Sequence, residues 1–516
     1  MNVVAHFDQR ARATPGATAL AWDQETLSYA ELRQLAQALA ARLATRAIGA
    51  DDRVAILLGN DPASAVALLG VLWRGAVATV LSSAWTPADA AAALERADAR
   101  LLITTRSHAA AIGAEAATTL LVDDDASATL SARFGGIAAT SDEPPTVRGP
   151  ADVATILFSS GTTTDPKGVV LTHGNLSFNA RSKIRYCGIA PSDRLALVVP
   201  IAHCFGQNVV LLGALLGGAA VRIYPRFDAA QASADIARGE VTMLLAAPTA
   251  FHRLLALESP ASLRPLRYAL TAAAPLPDGL AARWRDATGK SLAQGYGLTE
   301  CSPFATYSAS AAESGRAVGR PIDGVEVRIA SIEGDRWAMP GEEGEIAIRG
   351  PNVMRGYWRR PDLTARALRG GWLRTGDVGT MDAQGEVHLI DRVDDVINVA
   401  GFKAYPSDVE RALARHPAVR EVAAYASVDA TRGACVAAAI VPHDGMTIVP
   451  SALMRFAAPH LAGFQRPARV RMVDALPRSA SGKVLRRQLA AEDHRAIHES
   501  PAKSERLATG WPVASR

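Results

Sequence analysis

Thr155-Ile156-Leu157-Phe158-Ser159-Ser160-Gly161-Thr162-Thr163-Thr164-Asp165-Pro166-Lys167-Gly168-Val169-Val170-Leu171 is the stretch from which the rest of the chain is read. Its first four residues have the apolar character of a strand end, and Val169–Leu171 is a second apolar β run. Between them stand hydroxyl residues and a glycine, followed by a lysine. Backbone N–H groups and hydroxyls in such a turn can donate to phosphate oxygens, and the ammonium adds a point charge. A Walker loop needs Gly-Lys-Ser/Thr opening a helix. Here Pro166 precedes the lysine, Gly168 follows it and the exit is a strand, so a mobile hairpin tip is expected. On composition alone, a Ser/Thr-rich surface turn fits equally well.

Upstream, strand and helix signals alternate. Ser28-Tyr29-Ala30-Glu31 has the form of a capping box, and Leu32, Leu35, Leu39 and Leu43 follow at helical spacing. Arg53–Leu58 reads as a buried strand, Pro62–Arg74 as a helix, and Ala78–Leu81 and Leu101–Thr104 as strands. This alternation predicts a doubly wound α/β layer. Residues 140–150 form a Pro-rich linker or surface loop. A second α/β region runs from about 151 to 310. From about 318 to 390, short β runs (Val325–Ile329, Glu345–Arg349, Val387–Ile390) separated by Gly-rich turns predict a small β-rich subdomain. After Asp391 the texture is mixed again, with helices at Val409–Leu413 and Ala452–His460 and strands at Val419–Ser427 and Cys435–Val441. The fold class is therefore α/β: a large N-terminal domain of two doubly wound subdomains plus the β-rich one, then a small α+β C-terminal domain. The boundaries are 1–390, a hinge at 391–394, a mobile domain at 395–492 and a polar, disordered tail at 493–516.

Composition narrows the function. The chain has 516 residues, 49% hydrophobic and 21% charged, which argues against extensive disorder. Its 55 basic and 51 acidic residues nearly cancel, so nothing points to nucleic acid or an anionic membrane surface. The longest apolar runs are too short, or interrupted by Arg74, for a membrane span. Four scattered cysteines without a CxxC pair suit a reducing compartment and disfavour zinc. The N-terminus lacks the pattern of a signal peptide, and a cytoplasmic protein is expected. Only six of the basic residues are lysines: 167, 183, 290, 403, 483 and 503. A position that keeps lysine in so arginine-rich a chain is a candidate for lysine chemistry.

The segment Ser159–Gly168 resembles the phosphate-binding signature of the adenylate-forming superfamily, which comprises acyl-CoA synthetases, nonribosomal adenylation domains and luciferases. The departure is Thr164, where that family usually has glycine. Six further segments resemble motifs of that family. Gly295-Tyr296-Gly297-Leu298-Thr299-Glu300 resembles the segment whose Tyr stacks on adenine, whose Thr binds the α-phosphate and whose Glu holds Mg²⁺. Thr271–Leu276, including Ala273, resembles the strand end lining the adenine and acyl pockets. Thr375-Gly376-Asp377 resembles the ribose-binding motif. Asp391–Asn398 resembles the interdomain hinge, with Arg392 reaching ribose or phosphate and Asp394 changing its torsions. Gly401-Phe402-Lys403 resembles the loop lining the pantetheine tunnel, and Ser481-Gly482-Lys483 the terminal catalytic lysine. The block Glu345–Trp358 also resembles a family segment and is read as mainly structural.

The resemblance implies a two-step ligase. A carboxylate attacks the α-phosphate of Mg²⁺-ATP, and a thiol then takes the acyl group from the adenylate. The implied nucleotide contacts are Ser160, Gly161, Thr162, Thr163, Thr164, Lys167, Ala273, Gly295, Tyr296, Thr299, Asp377, Arg392 and Lys483. Catalytic roles fall to Lys483, Thr299, Glu300 and His203, with Glu300 as the metal ligand. Pro200–Gly206 resembles the Pro-x-x-His-x-x-Gly segment of acyl- and aryl-CoA synthetases. No Asp stands there to hold an α-ammonium, which disfavours an amino acid. The pocket residues His203, Phe205, Ala273, Gly295, Pro303 and Phe304 imply a fatty or aryl acid. The acceptor is CoA or the phosphopantetheine of a separate carrier protein, since only 33 residues follow Lys483. A nucleotide-binding regulator with a weakened site is the alternative from another functional class.

Overall fold

The computed structural model describes residues 2–499 apart from 126–127, 139–141, 159–166, 258, 313–314, 332–335, 400–401, 430–432 and 479–483. Among the described residues two large sheets form the N-terminal part. The first has seven strands. Arg53–Leu57, Val77–Val80, Leu101–Thr105, Thr119–Val122 and Val153–Phe158 run parallel. Gly168–Thr172 then returns antiparallel to Val153–Phe158, with Phe158 opposite Gly168. The two β runs flanking the Ser/Thr-rich turn are thus the arms of a hairpin.

The second sheet has fourteen strands. Its parallel half includes Ala220–Ile223, Arg194–Leu197, Met243–Ala246, Tyr268–Thr271 and Ala293–Tyr296. The antiparallel half continues through Thr306–Ser308, Ala317–Pro321, Val387–Arg392, Trp372–Met381, Gly344–Arg349 and Glu326–Ala330. The expected β-rich subdomain therefore extends the sheet of the second α/β region, joined by Thr306↔Pro321. Between the sheets lies one large apolar core. Pro62–Trp73, buried along its whole length, crosses that core, which is why its sequence is apolar on every face. No helix among the described residues is long and apolar enough to cross a membrane.

Local signals behave as their chemistry dictates. Ser28 accepts from the Glu31 amide at 3.2 Å, while Glu31 accepts from the Ser28 amide at 2.8 Å, opening the helix Tyr29–Thr45. A second box, Thr172 with Asn175, opens His173–Cys187. Of the stretch read as linker or surface loop, residues 142–150 are a surface loop tied down: Asp142 pairs with Arg12 and Arg33, and the Thr146 amide donates to Trp73 O.

The small domain packs its helices Pro406–Ala414 and Pro450–Ala457 on the strands Val419–Asp429, Gly433–Pro442 and Arg469–Met472. Of the tail expected at 493–516, residues 493–499 belong instead to the helix Arg486–Glu499, and the rest lies outside the described residues. Leu489 and Asp493 lie one turn apart on one buried face. Asp493 accepts from Ser427, and Arg469 stands 3.5 Å away. A carboxylate at 493 read as solvated is instead anchored to a strand.

His173, the first residue of its helix, is fully buried and neither ring nitrogen finds a partner among the described residues. Burial, assisted by Arg148, lowers its pKa to about 4 from 6.5. The unfolded chain thus binds the extra proton first as pH falls. Stability from this group is complete above about pH 6.5 and is lost toward pH 4, at up to roughly 1.4 kcal/mol per pH unit. His173→Phe should therefore flatten the fall of the urea midpoint between pH 6.5 and 4.5; parallel slopes in wild type and variant would refute the assignment.

Candidate active site

Lys167 is half-buried where the hairpin resumes. The short strand Gly356–Tyr357 pairs antiparallel with that arm, Gly356 opposite Val170 and Tyr357 opposite Val169. The Trp358 amide donates to Gly168 O at 2.7 Å and the Arg355 amide to Val170 O at 3.0 Å. This pairing sets the Tyr357 ring 5.5 Å from the Lys167 ammonium. The Tyr357 hydroxyl donates to Glu300 Oε1 at 2.8 Å. Burial, and then the Glu300 charge, push the phenol pKa up, so it remains a donor. One tyrosine thus joins the cation of the hairpin to the carboxylate of the Thr-Glu turn.

A second tyrosine does the same nearby. Tyr296 is buried at the end of its strand and donates to Asp377 Oδ2 at 2.7 Å. Asp377 and Arg392 are cross-strand partners, with the guanidinium 3.3 Å from Asp377 Oδ1. Asp377 raises the Arg392 pKa, with smaller contributions from Tyr296 and Glu300. Lys167, Glu300, Tyr296, Asp377 and Arg392, drawn from both large sheets, therefore share one charged locale.

The turn between Tyr296 and Phe304 is tightly constrained. A Cβ on Gly297 would lie 2.1 Å from Pro303 O. Ser302 has φ +72° and precedes a cis Pro303. Its hydroxyl donates to Asn352 O at 2.8 Å, and the Asn352 side chain returns a bond to Phe304 O at 2.9 Å. Thr299 Oγ1 lies 3.1 Å from Cys204 Sγ. Next to it, His203 Nδ1 accepts from the Phe205 amide at 3.2 Å, where the π-helical segment Phe205–Leu212 begins. Ala273, at φ +71°, lies two residues beyond Thr271, which pairs with Gln294. Ala273 is thereby set beside the Gly295–Tyr296 strand end. A Cβ on Gly295 would be 3.3 Å from the Phe304 ring.

Of the residues expected from sequence, Lys167, Glu300, Tyr296, Asp377 and Arg392 come together through the contacts above, and Thr299 links to Cys204. Asp394 and Lys403 belong to the C-terminal side. Asp394 is exposed in the turn Val393–Asp395, 3.7 Å from Arg487, and Lys403 is exposed on a two-stranded ribbon opposite Asn398. Ser160, Gly161, Thr162, Thr163, Thr164, Gly401 and Lys483 lie outside the described residues. Tyr357 and Cys204 were not expected at the site. Tyr357 sits in the block read as structural, and only its pairing with the hairpin arm reveals where its hydroxyl goes.

The family described as AMP-binding enzyme matches residues 7–358, and its C-terminal domain matches 408–483. A feruloyl-CoA synthase of Amycolatopsis sp. is 36% identical, over 93% of this chain and 96% of its own. A 2-succinylbenzoate–CoA ligase of Bacillus velezensis is 33% identical over the same shares. ATP-bound MatB from Rhodopseudomonas palustris superposes with a TM-score of 0.89 at 29% identity, over 95% of this chain and 99% of that one. The o-succinylbenzoate CoA synthetase MenE of Bacillus subtilis, in complex with its acyl-adenylate intermediate, gives 0.84 at 29%, over 94% and 97%.

The crowding at Gly297 has a measurable consequence. Gly297→Ala meets a backbone carbonyl and should cost about 1–3 kcal/mol in urea unfolding. Gly289→Ala, with nothing within 4 Å and only its φ of +74° to strain, should cost about 1 kcal/mol. Equal losses would show that the turn yields freely.

Proposed function

The chain belongs to the AMP-binding enzyme family, and from that premise we propose that it joins an aromatic carboxylic acid to CoA, with Lys167, Glu300, Asp377 and Arg392 handling the nucleotide. The enzyme is an AMP-forming acid–thiol ligase that activates a carboxylic acid with ATP and passes the acyl group to a thiol, CoA. The aryl preference and the residue roles are the finer reading. What supports the residue roles is that the Tyr357 hydroxyl holds Glu300 while its ring meets Lys167, and the Tyr296 hydroxyl holds Asp377, which pairs with Arg392. Gly295, which leaves open the space against the Phe304 ring, and the small Ala273 suit a flat acyl group.

The chemistry follows from charge. A carboxylate oxygen forms a bond to the α-phosphorus while the bond to pyrophosphate breaks. Two anions must meet, so the protein contributes position and positive charge rather than covalent catalysis. Lys167 and the hydroxyls of 160–164 neutralise the departing phosphates. Lys483 bridges the attacking carboxylate and the α-phosphate, which Thr299 also contacts. Glu300 fits a hard dication: Tyr357 occupies one carboxylate oxygen and orients the other. Bound Mg²⁺ supplies Lewis-acid stabilisation of phosphate charge. Asp377 accepts from the ribose hydroxyls once Tyr296 shares its carboxylate, and Arg392 supports the same end of the nucleotide. His203, Phe205 and Pro303 line the acyl side with Gly295 and Phe304.

In the second step the thiol sulfur bonds to the acyl carbon and AMP leaves. The small domain turns about Asp394, withdrawing Lys483 and presenting Gly401 and Lys403 to the thiol arm. Arg486, three residues past Lys483, binds Glu410 at 2.8 Å, Asp395 at 3.2 Å and Ala424 O at 3.1 Å. The lysine-bearing segment is thus tied to the residue next to the hinge and can move with it.

Carboxylate-dependent ATP–pyrophosphate exchange and CoA thioester formation, run over a panel of fatty and aryl acids, test the reading. Aryl acids should give both products, and Lys483→Ala should cut exchange by two or more orders of magnitude, with circular dichroism unchanged. Absence of exchange with every acid would instead support a nucleotide-binding regulator, and thioester on a holo-carrier but not on CoA would reassign the acceptor. Tyr357→Phe should raise the Mg²⁺ concentration for half-maximal exchange about 10-fold, leaving the KM for the acid alone. An unmoved Mg²⁺ dependence would exclude a positioning role for that hydroxyl.

A further inference from the structure

Three of the six lysines, 167, 403 and 483, fall in segments given roles above, and Lys503 lies outside the described residues. Lys290 is anchored by main-chain oxygens, its ammonium donating to Arg264 O and, at 2.6 Å, to Leu266 O. Lys183 differs from all of these. It sits within the helix His173–Cys187 and is 2% exposed. Among the described residues no carbonyl, carboxylate or hydroxyl accepts from its ammonium. Its neighbour is the face of Phe304, with the nitrogen 3.1 Å from the ring centroid. A Cβ on Gly295 would lie 3.7 Å from the same nitrogen.

A buried ammonium without a counter-ion is strongly unfavourable, and a ring face satisfies it from one side only. Burial lowers the Lys183 pKa to about 8, so the group still carries its proton at neutral pH. Nearby groups do not neutralise it. Cys187, one turn along the helix, has its thiol pushed up by burial, and Tyr268 beside it is pushed up likewise. Both are uncharged at neutral pH. Three donor hydrogens are thus held at Phe304 and Gly295, two residues assigned above to the acyl pocket, with no acceptor among the described residues.

We propose that Lys183 reads the far end of the acyl substrate: its ammonium donates to an oxygen acceptor, phenolic or carboxylate, that the aromatic acid carries remote from the carboxyl group being activated. This rests on the acyl-binding role given to Gly295 and Phe304 under the proposed function. The ring of Phe304 then packs against the acid while holding the cation in place. An acid lacking the remote oxygen leaves the ammonium buried without an acceptor, and sites built to hydrogen-bond a substrate group discriminate strongly against analogues without it.

Two matched pairs of acids test the assignment: 4-hydroxycinnamate against cinnamate, and 4-carboxycinnamate against cinnamate. Wild type should prefer the oxygen-bearing acid in at least one pair by about 100-fold in kcat/KM, and the responding pair identifies the oxygen as phenol or carboxylate. Lys183→Met, which keeps an unbranched apolar side chain one atom shorter and removes the charge, should erase that preference by lowering kcat/KM for the oxygen-bearing acid. Its activity on cinnamate should be unchanged or improved. A parallel loss on all three acids would make Lys183 structural and overturn the proposal. So would a wild type that forms thioesters yet ignores the remote oxygen in both pairs, a result that needs no variant to fold. A wild type that forms no thioester with any acid overturns the functional reading as well.

Discussion

The site hangs on a two-residue β pairing. Gly356 and Tyr357 lie against Val170 and Val169, and that register alone directs the Tyr357 hydroxyl at Glu300. Successive residues of a strand face opposite sides, so a slip by one position would turn the phenol away. The segment making the pairing is a strap. It leaves the fourteen-stranded sheet at Gly344–Arg349 and ends on the edge of the seven-stranded one. Asn175 holds it midway by donating to Pro351 O at 2.7 Å and Val353 O at 3.0 Å, while Asn352 bonds Phe304 O. The turn at 297–304, the helix after the hairpin and the Glu300 carboxylate are therefore stitched by one loop.

Both carboxylates of the site are held in the same manner. A tyrosine, Tyr296 buried and Tyr357 half-buried, donates to one oxygen of each, and loss of solvent raises the phenol's pKa, so the proton stays on the donor. Each carboxylate is thereby fixed in orientation through one of its oxygens. Donors and charges fixed before the ligand arrives need little reorganisation when charge develops, which is where electrostatic catalysis gains its advantage. Glycine at 297 serves the same end by letting the turn close against Pro303 O, where a side chain would collide with backbone.

The small domain carries its own electrostatic core. Glu410, raised in pKa by burial, is held by Arg486, which also reaches Asp395 beside the hinge. Arg316–Asp408, Arg411–Asp278 and the Tyr405–Glu343 hydrogen bond join this domain to the large one. These are polar contacts of the kind that domain interfaces release at modest cost. The domain is thus tightly knit within and meets the large one through polar contacts.

The order of elements was legible in the sequence because it rests on local chemistry. Ser28 and Glu31 can bond only as a capping box, the apolar runs around 53–58 and 153–158 can only be buried, and the charged residues needed for nucleotide chemistry stand in recognisable segments. What local chemistry could not reveal is which distant segments meet. Tyr357 looked like packing because its role depends on pairing with a strand nearly two hundred positions earlier. Asp493 looked solvated because the strand that anchors it lies sixty-six residues away. Lys183 was one lysine of six until the fold set it under Phe304 and Gly295 with no acceptor among the described residues. Types and spacings of residues determined the reaction class; long-range sheet register decided which hydroxyls, carboxylates and cations share one place.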